Sequence, residues 1–137
     1  TALLRDNSRG ITNTALEEFM RFDAPLHMFE RTATADTEIG GVSIKEGQKI
    51  AALIGSANRD ETVFSTPESM DLTRDPNPHI GFGAGIHFCI GAPLARLEMS
   101  VSLPALWEKY PHMQLAGDAI RRPTFVLRGY ESVAISA

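Results

Sequence analysis

Between residues 81 and 93 the chain reads Gly81-Phe-Gly-Ala-Gly-Ile-His-Phe-Cys-Ile-Gly-Ala-Pro93, and no other stretch restricts the fold so tightly. Glycines at alternate positions 81, 83 and 85 let the backbone turn sharply and approach a flat group closely, because no Cβ intervenes. Gly91-Ala-Pro93 then opens a helix, with proline suited to the first turn and Leu94, Leu97, Val101 and Ala105 falling on one face. Cys89 therefore sits just ahead of a helix N-terminus, where unpaired N–H groups and the macrodipole favour a thiolate. It is the only cysteine in 137 residues, which excludes an intrachain disulfide framework and any zinc site needing two thiolates. A reducing compartment is the default for such a chain.

A thiolate so placed serves either as a nucleophile or as a metal ligand. A nucleophile needs a base; His87 is two residues away, a spacing that does not by itself aim imidazole at sulfur, and Phe88 and Ile90 make the loop apolar. A phosphate cradle is the other use of clustered glycines. It fails here because no apolar strand precedes the segment, no GxGxxG frame fits, and no Gly-Lys-Ser/Thr follows. A single thiolate on an apolar, glycine-permitted loop fits an axial haem ligand best.

The rest of the chain is ordinary for one domain, with 43% hydrophobic and 22% charged residues. Thr1–Arg5 resembles the tail of a helix and Asp6–Gly10 a break after it. Thr14-Ala-Leu-Glu17 has the form of a capping box, and Ala15, Leu16, Phe19 and Met20 follow at helical spacing, predicting a helix over about 13–22. Short β-type runs follow at His27–Thr32, Thr37–Ile39, Val42–Ile44 and Lys49–Ile54, with Gly40-Gly41 suited to a two-residue hairpin. Residues 58–80 hold three of the eight prolines and no periodicity, which reads as a long loop with a function. The helix after Cys89 is expected to kink at Pro104 and end before Tyr110-Pro111. Gln114–Ala116, Thr124–Leu127 and Val133–Ile135 read as closing strands.

A net charge of −4 and scattered arginines argue against a nucleic-acid partner. No apolar run approaches the ~18 residues of a membrane span, and the first residues lack a signal-peptide pattern. The expectation is a soluble, cytoplasmic protein. His27, His79 and His112 have no companions at ligand spacing and are expected to be surface or structural.

Phe82-Gly-Ala-Gly-Ile-His-Phe-Cys-Ile-Gly91 followed by Ala92-Pro-Leu-Ala-Arg96 resembles the haem-binding motif Phe-x-x-Gly-x-x-x-Cys-x-Gly of the cytochrome P450 family, in its soluble bacterial form. Glu18-Phe-Met-Arg21 is similar to that family's Glu-x-x-Arg helix motif, Arg31 falls where a propionate-binding arginine is found, and Ala57-Asn-Arg-Asp60 resembles a common bacterial segment. The resemblance runs over essentially the whole chain.

It implies a mixed α and β fold, the C-terminal third of a protein that is mainly helical as a whole. It implies haem b as cofactor, with Cys89 as axial iron ligand and Arg31, Phe82, Gly83, His87 and Gly91 around the ring, and Glu18 with Arg21 as a buried structural pair. Leu26, His27 and Phe29, with Phe125 and Val126, would contact a small hydrophobic organic substrate. The implied reaction inserts one atom of O₂ into that substrate, with electrons relayed from NAD(P)H by a ferredoxin or flavoprotein. Two departures stand out. The arginine that often completes the Glu–Arg pair from a Pro-x-Arg-Phe segment is missing from Pro67-Glu-Ser-Met70, leaving Arg59 or Arg74 to substitute, and Pro104 is unusual for its helix. The N-terminal two-thirds, with the distal oxygen-activating residues, is expected to be absent. The alternatives are a non-catalytic haem-binding fragment that needs a partner chain, and a truncated remnant without haem that self-associates through exposed apolar faces.

Overall fold

The computed structural model describes residues 11–136, so the expected helix tail at Thr1–Arg5 and the break expected at Asp6–Gly10 lie outside the described residues. Helix α1 spans Asn13–Phe22. Its cap is Thr12, whose hydroxyl accepts the Ala15 N–H at 3.3 Å while its carbonyl accepts the Leu16 N–H at 3.2 Å. The capping box expected from Thr14 to Glu17 does not form, because Thr12 takes the cap two residues earlier and Glu17 is committed elsewhere.

After Pro25 the chain makes two antiparallel pairs from β1 (Met28–Thr32), β2 (Thr37–Ile39), β3 (Val42–Ile44) and β4 (Lys49–Leu53). Strand β1 pairs with β4 from Met28↔Leu53 to Thr32↔Lys49, and β2 pairs with β3. Gly40 and Gly41 take φ of +59° and +79°, the double positive φ that a tight hairpin between right-twisted strands requires. Ile54 leaves the strand to begin a one-turn helix, α2 (Ile54–Ala57), which the sequence did not suggest.

Residues 58–80 contain neither helix nor strand, as expected, but they are firmly tied to α1 by side-chain hydrogen bonds. A 3₁₀ turn over Gly85–His87 precedes Cys89, and α3 then runs Ala92–Lys109, continuing through Pro104. Beyond it, β5 (Gln114–Leu115) pairs with β8 (Ile135–Ser136), and β6 (Ile120–Arg121) with β7 (Tyr130–Ser132). Thr124–Leu127 is not a strand: it follows Pro123, which has no N–H to give a ladder, and makes one isolated bridge, Leu127 with Leu26. The expected strand at Val133–Ile135 begins two residues later.

The core is small and unusually polar. Its buried apolar residues are Ala15, Leu16, Ala24, Ala33, Ile54, Phe64, Phe82 and Ala92, half of them alanine, while Glu18, Arg21, Asn58 and Arg74 are buried beside them. Little apolar area is removed from water by alanines, so the hydrogen-bonded Glu18–Arg21–Arg74 cluster at the centre must define much of the packing. Leu94, Leu97 and Val101, the apolar face of α3, are exposed among the described residues.

Candidate functional site

The segment from Ile80 to Ala92 folds as a loop fastened at its neck. Gly83 N–H donates to the Ile80 carbonyl at 2.8 Å, Phe88 N–H to Gly85 at 3.1 Å, Cys89 N–H to Phe82 at 2.9 Å and Ala92 N–H to Cys89 at 3.1 Å. Gly83 has φ +76°, and a Cβ there would stand 3.2 Å from the His87 carbonyl oxygen. The loop thus needs glycine for conformation and for room. Phe82 is buried, whereas Cys89 is exposed and flanked by exposed apolar side chains: Ile86 and Ile90 are 96% and 99% accessible, with Phe88 and Leu94 about half so.

Two neighbouring carboxylates on α1 anchor this loop, each with its own set of partners. Glu18 is fully buried and accepts from Arg21 at 2.7 and 2.8 Å, from the Asp71 N–H at 2.8 Å, and from Arg74 and Asn77, both at 3.1 Å. Arg21 spends its remaining donors on the carbonyls of Asn58, Pro67 and Ser69. Arg74 is thus the second arginine on Glu18. Arg59 instead donates to the Phe22 carbonyl, pairs with Glu68 and stacks on the Phe22 ring. Asn58 carries the network onward, its side-chain oxygen accepting the Ile80 N–H at 2.9 Å at the root of the cysteine loop. Burial pushes the Glu18 carboxyl up, but the hydrogen bonds from Arg21 and Asp71 and the charges of Arg21 and Arg74 outweigh it and hold the group below its ordinary range.

Glu17 faces the other way. Arg96 on α3 grips it at 2.6 and 2.8 Å, and His79 Nε2 lies 2.8 Å from its Oε2. His79 Nδ1 accepts the Gly81 N–H at 3.0 Å, which places the neutral ring's proton on Nε2, pointing at the carboxylate. The Arg96 hydrogen bonds hold the Glu17 carboxyl below its ordinary range against burial, with His79 adding to the effect. The Arg96 guanidinium also lies over the Phe82 ring, 4.6 Å from its centroid. Sequence reading gave Glu17 only a place in a capping box and Arg96 only a place in the Ala92–Arg96 run after the cysteine; that the two meet carries no sequence signal.

The remaining residues singled out by sequence are found as follows. His87, in the 3₁₀ turn, is exposed. Arg31 is exposed on β1, its guanidinium 5.2 Å from the Phe29 ring centroid and donating to the Glu30 carbonyl at 2.9 Å. The two apolar segments at opposite ends of the sequence meet: Leu26 bridges Leu127, His27 N–H donates to the Val126 carbonyl at 2.9 Å, and Arg128 N–H donates to Pro25 at 2.7 Å. Phe125, Val126 and Leu127 are exposed there. The His27 ring packs so closely on Gly55 that a Cβ would lie 2.5 Å from Nδ1, and burial together with the Arg128 charge lowers its pKa.

The donor set bears on what this site can hold. Among the described residues no group of three or more His, Cys, Asp or Glu side chains is placed to hold a metal ion. Cys89 offers one soft donor, so a metal there must bring its other ligands with it. A single thiolate ringed by exposed apolar side chains fits a planar macrocycle carrying its own iron.

A family model described as Cytochrome P450 matches residues 7–124. A putative cytochrome P450, YjiB, of Bacillus subtilis is 55% identical over 100 residues, covering 73% of this chain and 25% of that protein. The biotin biosynthesis cytochrome P450 of the same organism is 40% identical over 134 residues, 97% of this chain and 34% of its own. The crystal structure of the versatile cytochrome P450 enzyme CYP109B1 from Bacillus subtilis superposes with a TM-score of 0.93 at 44% identity, over 99% of this chain and 37% of that one. The chain spans about a quarter to a third of the length of the curated relatives it matches.

Proposed function

This chain belongs to the cytochrome P450 family, and on that premise we propose that it is the haem-ligating portion of a monooxygenase, in which the Cys89 sulfur would hold the iron of haem b. The observation that carries the proposal is an exposed sulfur on a loop closed by the Cys89 N–H to Phe82 carbonyl bond, amid bare apolar side chains. Thiolate-ligated haem, when bound, supplies the activation of O₂ by which one oxygen enters an organic substrate and the other leaves as water.

The chain's own residues bind and orient. Cys89 donates the sulfur, and the helix start behind it favours the anionic form. Gly83 gives the loop the turn it needs, Gly91 keeps a Cβ away from the Cys89 sulfur, and Phe82 would pack beside the cofactor. His87 and Arg31 would hold the haem propionates by charge-assisted hydrogen bonds. Leu26, His27 and Phe29 with Phe125 and Val126 form one wall for a small hydrophobic substrate and exclude water from it. Their meeting through the Leu26–Leu127 bridge supports this assignment.

Electrons reach the complete protein from a ferredoxin or flavoprotein, in the cytoplasm. On this reading the chain, which spans about a quarter to a third of its relatives' length, would bind haem and leave turnover to the distal portion of the fold. The exposed α3 face of Leu94, Leu97 and Val101 favours that division of labour, since a face so apolar awaits cover. The test is the spectrum of the haem-loaded, reduced, CO-treated chain. A Soret band at the thiolate-typical position in the wild type, lost in Cys89→Ser, is expected; identical spectra in the two would overturn the assignment. Product formed by the purified chain with an electron donor would overturn the claim that it needs the distal portion.

A further inference from the structure

We propose that Glu17 is a positioning residue for Cys89, acting through Arg96, His79 and Phe82 without touching the sulfur or anything bound to it. The inference rests on the reading of Cys89 as the haem ligand, and its geometry stands independently. Glu17 lies on α1, seventy-two positions before Cys89 by their numbers, yet three contacts join them. Its two oxygens take Arg96 Nε and Nη2 side by side, and Oε2 is shared with His79. Arg96 in turn covers Phe82, and His79 flanks the same ring with centroids 6.1 Å apart. The carbonyl of Phe82 is the acceptor that holds the Cys89 N–H at 2.9 Å.

The loop has no slack to absorb a change in this clamp. At Gly81 a Cβ would stand 2.7 Å from the Met20 carbonyl of α1 and 3.2 Å from His79 Nδ1, so the loop lies against both with no room for a side chain between them. The His79 ring is nearly sealed, its side chain 3% accessible, and both nitrogens are used. If Glu17 loses its charge, Arg96 keeps its cation with a weaker partner and swings from Phe82. The Phe82 carbonyl then moves, and the Cys89 peptide moves with it. A capping role would have given Glu17 nothing to do with the loop, but Thr12 holds the cap.

Amide hydrogen exchange on the 137-residue chain without haem decides the matter, comparing wild type with Glu17→Gln. Exchange at Cys89 and Gly81 should rise by about tenfold in the variant, while the β1–β4 ladder amides of Met28–Thr32 and Lys49–Leu53 stay within about twofold. Unchanged exchange at Cys89, or a rise matched in the ladder, would overturn the proposal, since a general loss of stability moves both regions together. If Glu17→Gln does not fold, Glu17→Asp, which keeps the charge but is too short to reach both partners, is held to the same comparison. The haem-loaded chain supplies a separate readout: Glu17→Gln should enlarge the fraction whose ferrous–CO Soret band marks a detached thiolate. A wild type with no thiolate band at all would sink the reading of Cys89, and the exchange ratio would still decide the role of Glu17.

Discussion

The two ends of the cysteine loop are built on opposite principles. At its root, around Glu18 and Arg21, charged groups are buried and every strong donor and acceptor of the pair is matched. At its tip, from Ile86 to Leu94, apolar side chains stand in the open around a free sulfur. The root gains its geometry from directional bonds that tolerate no substitute, which suits a foundation. The tip's backbone is held by its own hydrogen bonds, but its apolar side chains are covered by none of the described residues, which suits a surface meant to be covered by something flat and apolar. Soluble chains usually bury the apolar residues and expose the charged ones; here the inversion marks which part holds and which part receives.

The comparison is broken most directly at the root. Glu18→Ala leaves Arg21 and Arg74 buried without their shared carboxylate and should destabilise the chain by about 3–5 kcal/mol, enough to abolish cooperative unfolding in denaturant titrations. Acid should do by titration what that substitution does by deletion. Glu17 and Glu18 have folded-state pKa values below their unfolded ones, so the stability they contribute is present above the ordinary carboxylate pKa and is lost as pH falls through the lowered values. Chemical denaturation from pH 7 to pH 3 should show the fall in wild type and a shallower one in Glu17→Gln.

Smaller effects are expected toward the tip. Gly83→Ala places a Cβ on a residue at φ +76° with a carbonyl oxygen 3.2 Å away, and should cost about 1–2 kcal/mol, visible as a shifted thermal midpoint. Leu97→Glu, on the exposed face of α3, should alter stability by no more than about 0.5 kcal/mol while reducing self-association in sedimentation measurements. A large destabilisation there would mean that the face is covered within the chain, and the contrast between root and tip would fail.

Local features were legible in the sequence where a single residue type answers a single geometric demand. The glycine pair at 40–41, the helix over 13–22, and the helix beginning after Gly91 follow from φ requirements and period. The glycine-spaced cysteine segment likewise led to the family and the fold, which the match over residues 7–124 and the CYP109B1 superposition both support. What escaped is long-range. Glu17 meets His79 across 62 positions and Arg96 across 79, and no periodicity encodes such pairings. The choice of Arg74 over Arg59 depended on which side of α1 the 58–80 loop wraps, a matter of tertiary path. The cap was misread for a related reason: Thr12 and Thr14 offer the same hydroxyl, and the glutamate that made Thr14 attractive is claimed by an arginine on another helix. Thr124–Leu127 has strand-like composition, but Pro123 ahead of it and one bridge to Leu26 leave it without a ladder.

The claim on which the account depends is that a bound iron takes its protein ligand from the one sulfur at the loop's tip. Iron-edge X-ray absorption on the haem-loaded chain measures this at the metal itself. A sulfur scatterer in the first coordination sphere, present in wild type and replaced by oxygen or nitrogen in Cys89→Ser, is the predicted result. A wild-type iron surrounded by nitrogen and oxygen alone would contradict it.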